Sequence, residues 1–135
     1  MLRLSRTAYL QMIGHAYDCL PEEACGLMAG LPARGTAPAF YPCANDAASS
    51  KLYTINPRDH LRADRDAEDN GHEIIGVMHS HTHTDAYPSP TDVAQAPDPS
   101  WHYVIVSLKQ PEPVLRSYRI VGGNIAEEPV VVDKR

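Results

Sequence analysis

No run of about 18 apolar residues occurs anywhere in the chain, so no segment reads as a helical membrane span. Arg3 and Arg6 stand near the N-terminus, but the residues after them are amphipathic, and no signal peptide is read there. Cysteine is scarce: Cys19, Cys25 and Cys43 are odd in number and form no C-x-x-C pair. Neither a disulfide framework nor a cysteine zinc site is indicated, and reducing cytoplasm is the expected compartment. Positive charge is in deficit, with 12 Lys and Arg against 17 Asp and Glu and a net charge of −5. That argues against a nucleic-acid partner, because such binding neutralises phosphates with Lys and Arg; a carrier protein or a small substrate is expected instead. Repeats, low-complexity segments and internal boundaries are missing too. What remains is 135 residues of ordinary composition, 43% hydrophobic and 21% charged, expected to form one domain over residues 1–135 around a single core.

The periodicity then divides the chain. Apolar side chains at Tyr9, Met12, Ile13, Ala16 and Leu20 follow helical spacing, with Ser5 as N-cap and Pro21 beyond the end, and His15 and Asp18 are placed on the helix surface. Residues 23–29 read as a strand closed by Gly30. Glu22 and Glu23 enter it side by side, and alternation lets only one point inward, without saying which. Strands are expected at 39–43 and 52–55, with a polar loop over 45–50 between them. Asn56-Pro57 opens a helix over 58–70 whose mixed charges form a solvated face. Further strands are expected at 73–81, 103–108 and 114–120, and a last one at 125–132 after the turn Gly122-Gly123-Asn124. Strands mixed with two long helices indicate an α/β sandwich.

The chemistry concentrates in GVMHSHTHTDAYPSPTD, residues 76–92. His79 and His81 lie two apart behind Ile74, Ile75, Val77 and Met78, so on a strand both imidazoles face one way. Ser89-Pro90-Thr91-Asp92 has the form of a helix start: Ser as N-cap, Pro at the first helical position and an acid at the third. A helix start also fixes its side chains, so Asp92 can face the histidines and complete two nitrogen ligands and one carboxylate. Three such ligands leave zinc one open position where water binds and is activated. The remaining histidines, His15, His60, His72, His83 and His102, have ordinary surface or core readings.

Other H-x-H metal patterns do not fit. Glu73 stands where a cupin wants glycine, and His83 stands where the metallo-β-lactamase pattern wants aspartate. An amidohydrolase barrel needs roughly 250 residues. The segment HSHTHTDAYPSPTD instead resembles the JAMM motif of the JAB1/MPN/Mov34 (MPN) metallopeptidases, without a gap in the motif. The run PEEACGLMAG, residues 21–30, matches the upstream strand on which that family carries a catalytic glutamate. Over the whole chain, ACGLMAG, HTDAYPSPTDV, HYVIVSL and LRSYRIVGGNIAEEPV resemble the short actinobacterial type that removes cysteine from a sulfur-carrier protein.

The resemblance implies an α/β, three-layer MPN (cytidine-deaminase-like) fold, a curved mixed sheet flanked by helices. It implies one zinc ion held by His79, His81 and Asp92, with Glu23 as catalytic acid and base and Ser89 as hydrogen-bond donor to the tetrahedral oxyanion. The implied partner is a ubiquitin-like, β-grasp sulfur carrier whose C-terminal Gly-Gly tail binds in extended form. The implied reaction is hydrolysis of an amide or isopeptide bond at that tail, with cysteine as the leaving group. Two alternatives stay open: a JAMM peptidase or deconjugase acting on other ubiquitin-like tails or peptides, and a non-catalytic MPN scaffold.

Overall fold

Strand β4 (Glu73–His81) lies near the middle of an eight-stranded mixed sheet and is buried along most of its length. The computed structural model describes residues 1–134. Before β4 the chain forms β1 (Leu2–Leu4), helix α1 (Arg6–Asp18), β2 (Cys25–Leu31), β3 (Thr36–Cys43) and helix α2 (Pro57–Asp69). After it come the short helix α3 (Pro90–Ala94), β5 (His102–Ser107), β6 (Val114–Val121), β7 (Asn124–Glu128) and β8 (Val130–Val132). The strand order is β7-β6-β5-β4-β2-β3-β1-β8. β4 pairs antiparallel with β2 and parallel with β5, the parallel pair being joined through α3.

Two cores follow from strand alternation. Met28, Met78 and Val104 face α1, which presents Ala8, Met12 and Ala16 to them. Leu27, Val77 and Ile105 face the opposite way, towards Ala63 of α2. Small residues on the buried stripe of α2, Ala63 and Ala67, let its backbone approach the sheet, while Arg58, Arg62, Asp64, Arg65, Asp66, Glu68 and Asp69 are exposed. Both long helices start on side-chain caps: Ser5 accepts from the Ala8 amide, and Asn56 from Arg58 and Asp59. At Gly76 the sheet leaves no room for a side chain, since a methyl there would fall on the carbonyl oxygen of His102 in the neighbouring strand.

Three expectations are corrected. Residues 52–55 form no strand; a single bridge, Asn45 to Ile55, is all the pairing there, because the loop's hydrogen bonds go to the Asn45 side chain instead. The last strand, expected over 125–132, is two strands broken at Pro129, whose nitrogen has no hydrogen to donate. β7 pairs with β6 at one end of the sheet and β8 pairs with β1 at the other, so the sheet curls until its ends are one residue of chain apart. His15 is not a surface residue: half-buried, it donates from Nε2 to the carbonyls of Cys25 (2.9 Å) and Cys43 (3.2 Å).

Among the described residues no helix is long and apolar enough to cross a membrane.

Candidate active site

His79 and His81 project from the C-terminal end of β4 on the α2 side of the sheet, the side to which Val77 also points. They are 2% and 4% exposed. Their Nε2 atoms are 3.1 Å apart, and Asp92 Oδ2 lies 3.1 Å from His79 and 3.0 Å from His81. Three donor atoms thus form a nearly equilateral triangle. Zinc bonds of about 2.0–2.1 Å to nitrogen and oxygen give tetrahedral edges of roughly 3.3 Å, so the triangle is close to one face of such a tetrahedron. The donor set fits zinc chemically as well: two imidazoles and a carboxylate in one buried cluster, the one group of this kind among the described residues.

Neighbouring groups aim each ligand. His81 donates from Nδ1 to the Asp85 carbonyl at 2.7 Å, so in the neutral ring, the form a metal ligand takes, the proton sits on that nitrogen and the Nε2 lone pair faces the triangle. The His79 ring stacks on Tyr53, with centroids 4.5 Å apart and planes 21° apart. Burial holds His79 below its ordinary pKa, in the neutral form that a metal ligand needs. For His81, burial acts downward, but the hydrogen bond with Asp92 and the Asp85 carbonyl outweigh it and raise the pKa. Burial likewise pushes Asp92 up, and the hydrogen bonds from His79 and His81 overcome it and hold the carboxyl well below the usual range. Asp92 also accepts from the Ser89 amide, while Ser89 Oγ accepts from the Asp92 amide at 3.1 Å; this reciprocal capping box starts α3.

Glu22 is exposed and Glu23 is 4% exposed, which resolves the choice left open by alternation. Glu23 Oε1 is buried with no hydrogen-bond partner. An orphaned carboxylate oxygen costs free energy unless a proton, a cation or water answers it. Burial lifts this carboxyl to about 7; His81 opposes the lift and the Asp92 charge adds to it. Its backbone is held on both sides, the amide donating to Ser49 O at 2.8 Å and the carbonyl accepting from Asn45 Nδ2 at 3.0 Å. Ala24, next in the chain, exchanges bonds with Ser80: its amide donates to Ser80 Oγ at 2.7 Å and its carbonyl accepts from the Ser80 amide at 3.0 Å.

Glu23, His81 and Ser89 line one side of a cavity of about 290 Å³, with Ser50, Lys51, Thr82, His83 and Thr84 around it. A second cavity, about 440 Å³, lies beyond Tyr53 and is lined by Leu27, Ile55, His60, Val77 and Trp101. The cavity on the Glu23 side is thus lined by polar side chains, and the one beyond Tyr53 by a mixed set that includes Thr54 and Gln95 as well.

Residues 5–121 match the family model for prokaryotic homologs of the JAB domain. The chain belongs to this JAB family. Within the family it is 42% identical over 122 residues to the CysO-cysteine peptidase of Mycobacterium tuberculosis, covering 90% of this chain and 84% of that protein. It is 31% identical over 137 residues to the desampylase of Haloferax volcanii, covering 98% of this chain and 96% of the other. A solution structure from Desulfitobacterium hafniense superposes with a TM-score of 0.91 at 35% identity, over 100% of this chain and 94% of that one. A JAB1/MPN domain protein from Archaeoglobus fulgidus shares the fold, with a TM-score of 0.64 at 16% identity over 98% and 97% of the two chains. The curved mixed sheet between helices is thus the MPN fold, and His79, His81 and Asp92 are its JAMM-type metal-binding triad.

Sequence reasoning missed Ser80, Asn45 and Tyr53. Ser80 carried a signal: a serine between two metal-facing histidines on a strand must point to the opposite face, where it needs a partner. Asn45 and Tyr53 carried none, because they reach the site from a loop. Cys25 and Cys43 face each other across β2 and β3 as buried free thiols. Burial drives both pKa values up, Cys43 to about 12, which is the state of inert packing residues.

Proposed function

We propose that this JAB-family domain, spanning residues 1–135, is a zinc-dependent hydrolase that releases cysteine from the C-terminal Gly-Gly tail of a ubiquitin-like sulfur-carrier protein. The observation that carries the reading is the buried His-His-Asp triad beside an orphaned glutamate, in a chain 42% identical to CysO-cysteine peptidases. When bound, zinc supplies a Lewis acid for the scissile carbonyl and lowers the pKa of water to about 7.

The protein's own residues supply the rest. Glu23, whose free Oε1 faces no other acceptor or donor, takes the proton of the attacking water and passes it to the leaving amine. Its ordinary pKa would make it a weak base at neutral pH; raised to about 7, it is matched to both transfers. Ser89 Oγ accepts a hydrogen bond from the Asp92 amide, so its hydroxyl hydrogen remains available for the developing oxyanion. A donor of that kind contributes on the order of 3 kcal/mol in other hydrolases. Tyr53 and the Asp85 carbonyl hold the two imidazoles in register, so little reorganisation accompanies the reaction. The cavity beyond Tyr53, with Leu27, Ile55, Val77 and Trp101 in its lining, is the place for the carrier tail in extended form, and the compartment for such a reaction is the cytoplasm.

The test is the intact mass of a Gly-Gly-tailed β-grasp carrier extended by cysteine, incubated with the protein with and without chelator. Loss of one cysteine residue, blocked by chelator and absent with Glu23→Gln that retains its zinc, is the expected result. Unchanged mass with the zinc-loaded protein overturns the reading; cleavage only of isopeptide-linked conjugates replaces it with a deconjugase of the desampylase kind.

A further inference from the structure

We propose that Lys51 is a specificity residue that favours leaving groups carrying their own α-carboxylate. The proposal rests on the reading of the site as a Gly-Gly-tail hydrolase and names what lies on the far side of the scissile bond.

Glu23 fixes where that side is. The group that protonates the leaving amine must lie beside it, and Glu23 lines the smaller cavity with Ser50, Lys51, Thr82, His83 and Thr84. At about 290 Å³ this pocket is at the lower edge of the roughly 300–1,000 Å³ typical of drug-sized ligands. A single amino acid fits there, and a folded protein does not. An α-linked leaving residue carries its carboxylate two bonds from the amine, so the carboxylate lies within this pocket when the amine lies by Glu23. Glu23 is the acid of that lining, and a substrate carboxylate brought beside it is better held with a cation at hand.

Lys51 is the Lys or Arg of that lining. Its neighbours are tied to the residues flanking β2 and β4 and to the Asn45 side chain: Ser49 O accepts from the Glu23 amide at 2.8 Å, Ser50 O from Thr82 Oγ1 at 3.3 Å, and Leu52 O from Asn45 Nδ2 at 3.1 Å. The Lys51 amide itself donates to Ser49 Oγ at 3.0 Å. Among the described residues its ammonium forms no ion pair; Lys109, by contrast, pairs with Asp85 at 3.2 Å. A backbone anchored on both sides keeps Lys51 in the lining of that pocket, and its exposed side chain carries a charge free to meet an anion there. Ser50, Thr82, Thr84 and Ser89 add hydroxyls, and Glu23, His81 and His83 are the other titratable groups of the lining. An isopeptide-linked lysine enters with only an aliphatic stem next to its amine, which offers Lys51 nothing.

The test compares three forms of one β-grasp carrier with the zinc-loaded protein: Gly-Gly-Cys with a free carboxylate, the same with a C-terminal carboxamide, and Gly-Gly joined to the ε-amine of a lysine peptide. Wild type is expected to prefer the free acid over the carboxamide by about tenfold in kcat/KM, the scale of one charge-assisted hydrogen bond. Lys51→Ala should lower the acid to the level of the carboxamide and leave the carboxamide unchanged; Lys51→Arg should keep the preference and Lys51→Glu reverse it. Equal rates on acid and carboxamide in wild type, or an equal loss on both in Lys51→Ala, overturn the role of Lys51 while the hydrolase reading stands. Failure to cleave any of the three overturns that reading and this inference together.

Discussion

Asp92 turns a single oxygen, Oδ2, both to the Ser89 amide at 2.9 Å and to the two histidines at 3.0 and 3.1 Å. One atom thus closes the first turn of α3 and completes the metal triad, so the helix start is the device that holds the third ligand in place.

The two roles separate by substitution. Asp92→Asn retains a carbonyl oxygen for the Ser89 amide but removes the anionic ligand. Zinc stoichiometry by native mass spectrometry should collapse, while the metal-free protein stays folded and loses about 1–2 kcal/mol, the worth of a cap and of the bonds to the histidines. A metal-free protein destabilised by several kcal/mol would mean that the carboxylate mainly serves the fold.

Glu23 makes a pH prediction whose sign is fixed by burial. Its folded pKa, about 7, lies above the ordinary 4.5, so its contribution to stability is complete below 4.5 and is lost as pH rises through 7. Chelator-treated wild type should therefore lose stability relative to Glu23→Gln between about pH 4.5 and pH 8 in urea titrations. A pH-independent difference between the two would show that the carboxyl is not desolvated.

Glu128 makes the opposite prediction. Burial acts to raise its pKa, but hydrogen bonds from His102 (2.6 Å) and Ser117 (2.8 Å) outweigh it and bring the carboxyl to about 2. Its contribution is present above 4.5 and is lost as pH falls through 2. Glu128→Gln should cost on the order of 2 kcal/mol at neutral pH and progressively less in acid, read from urea midpoints.

Asn45 reaches four backbone groups with one side chain: it donates to the carbonyls of Glu23 and Leu52 and accepts from the amides of Ala47 and Thr54. Asn45→Ala should free the loop and the Glu23 carbonyl together. Turnover should fall at least tenfold with zinc content unchanged, because a base displaced by about 1 Å loses most of its effect. Zinc loss in this variant would mean that the loop holds the triad rather than the base.

The metal ligands are legible in the sequence because all three fall within 14 residues, His79 to Asp92. Over that distance strand alternation and helix-start chemistry decide direction, and both are local rules. The long helices follow from spacing and caps in the same way. The loop over residues 45–55 does not, because extended, apolar-rich residues such as Leu52 to Ile55 look like a strand when the competing partner is a side chain elsewhere. β1 and β8 are three residues each, too short for a period; β1 is held between β3 and β8, and β8 by β1.

What the sequence by itself determined is therefore the identity and mutual direction of His79, His81 and Asp92, together with the capping chemistry that starts each helix. Tertiary structure alone decided that Glu23 rather than Glu22 is buried, that Asn45 and Ser49 hold it, and that Lys51 stands at the pocket. Each of these depends on a partner distant in the chain. Whether a carboxylate is desolvated or an ammonium left unpaired is a property of what surrounds it, and those surroundings exist only once β2 and β4 have paired and the loop has closed over them.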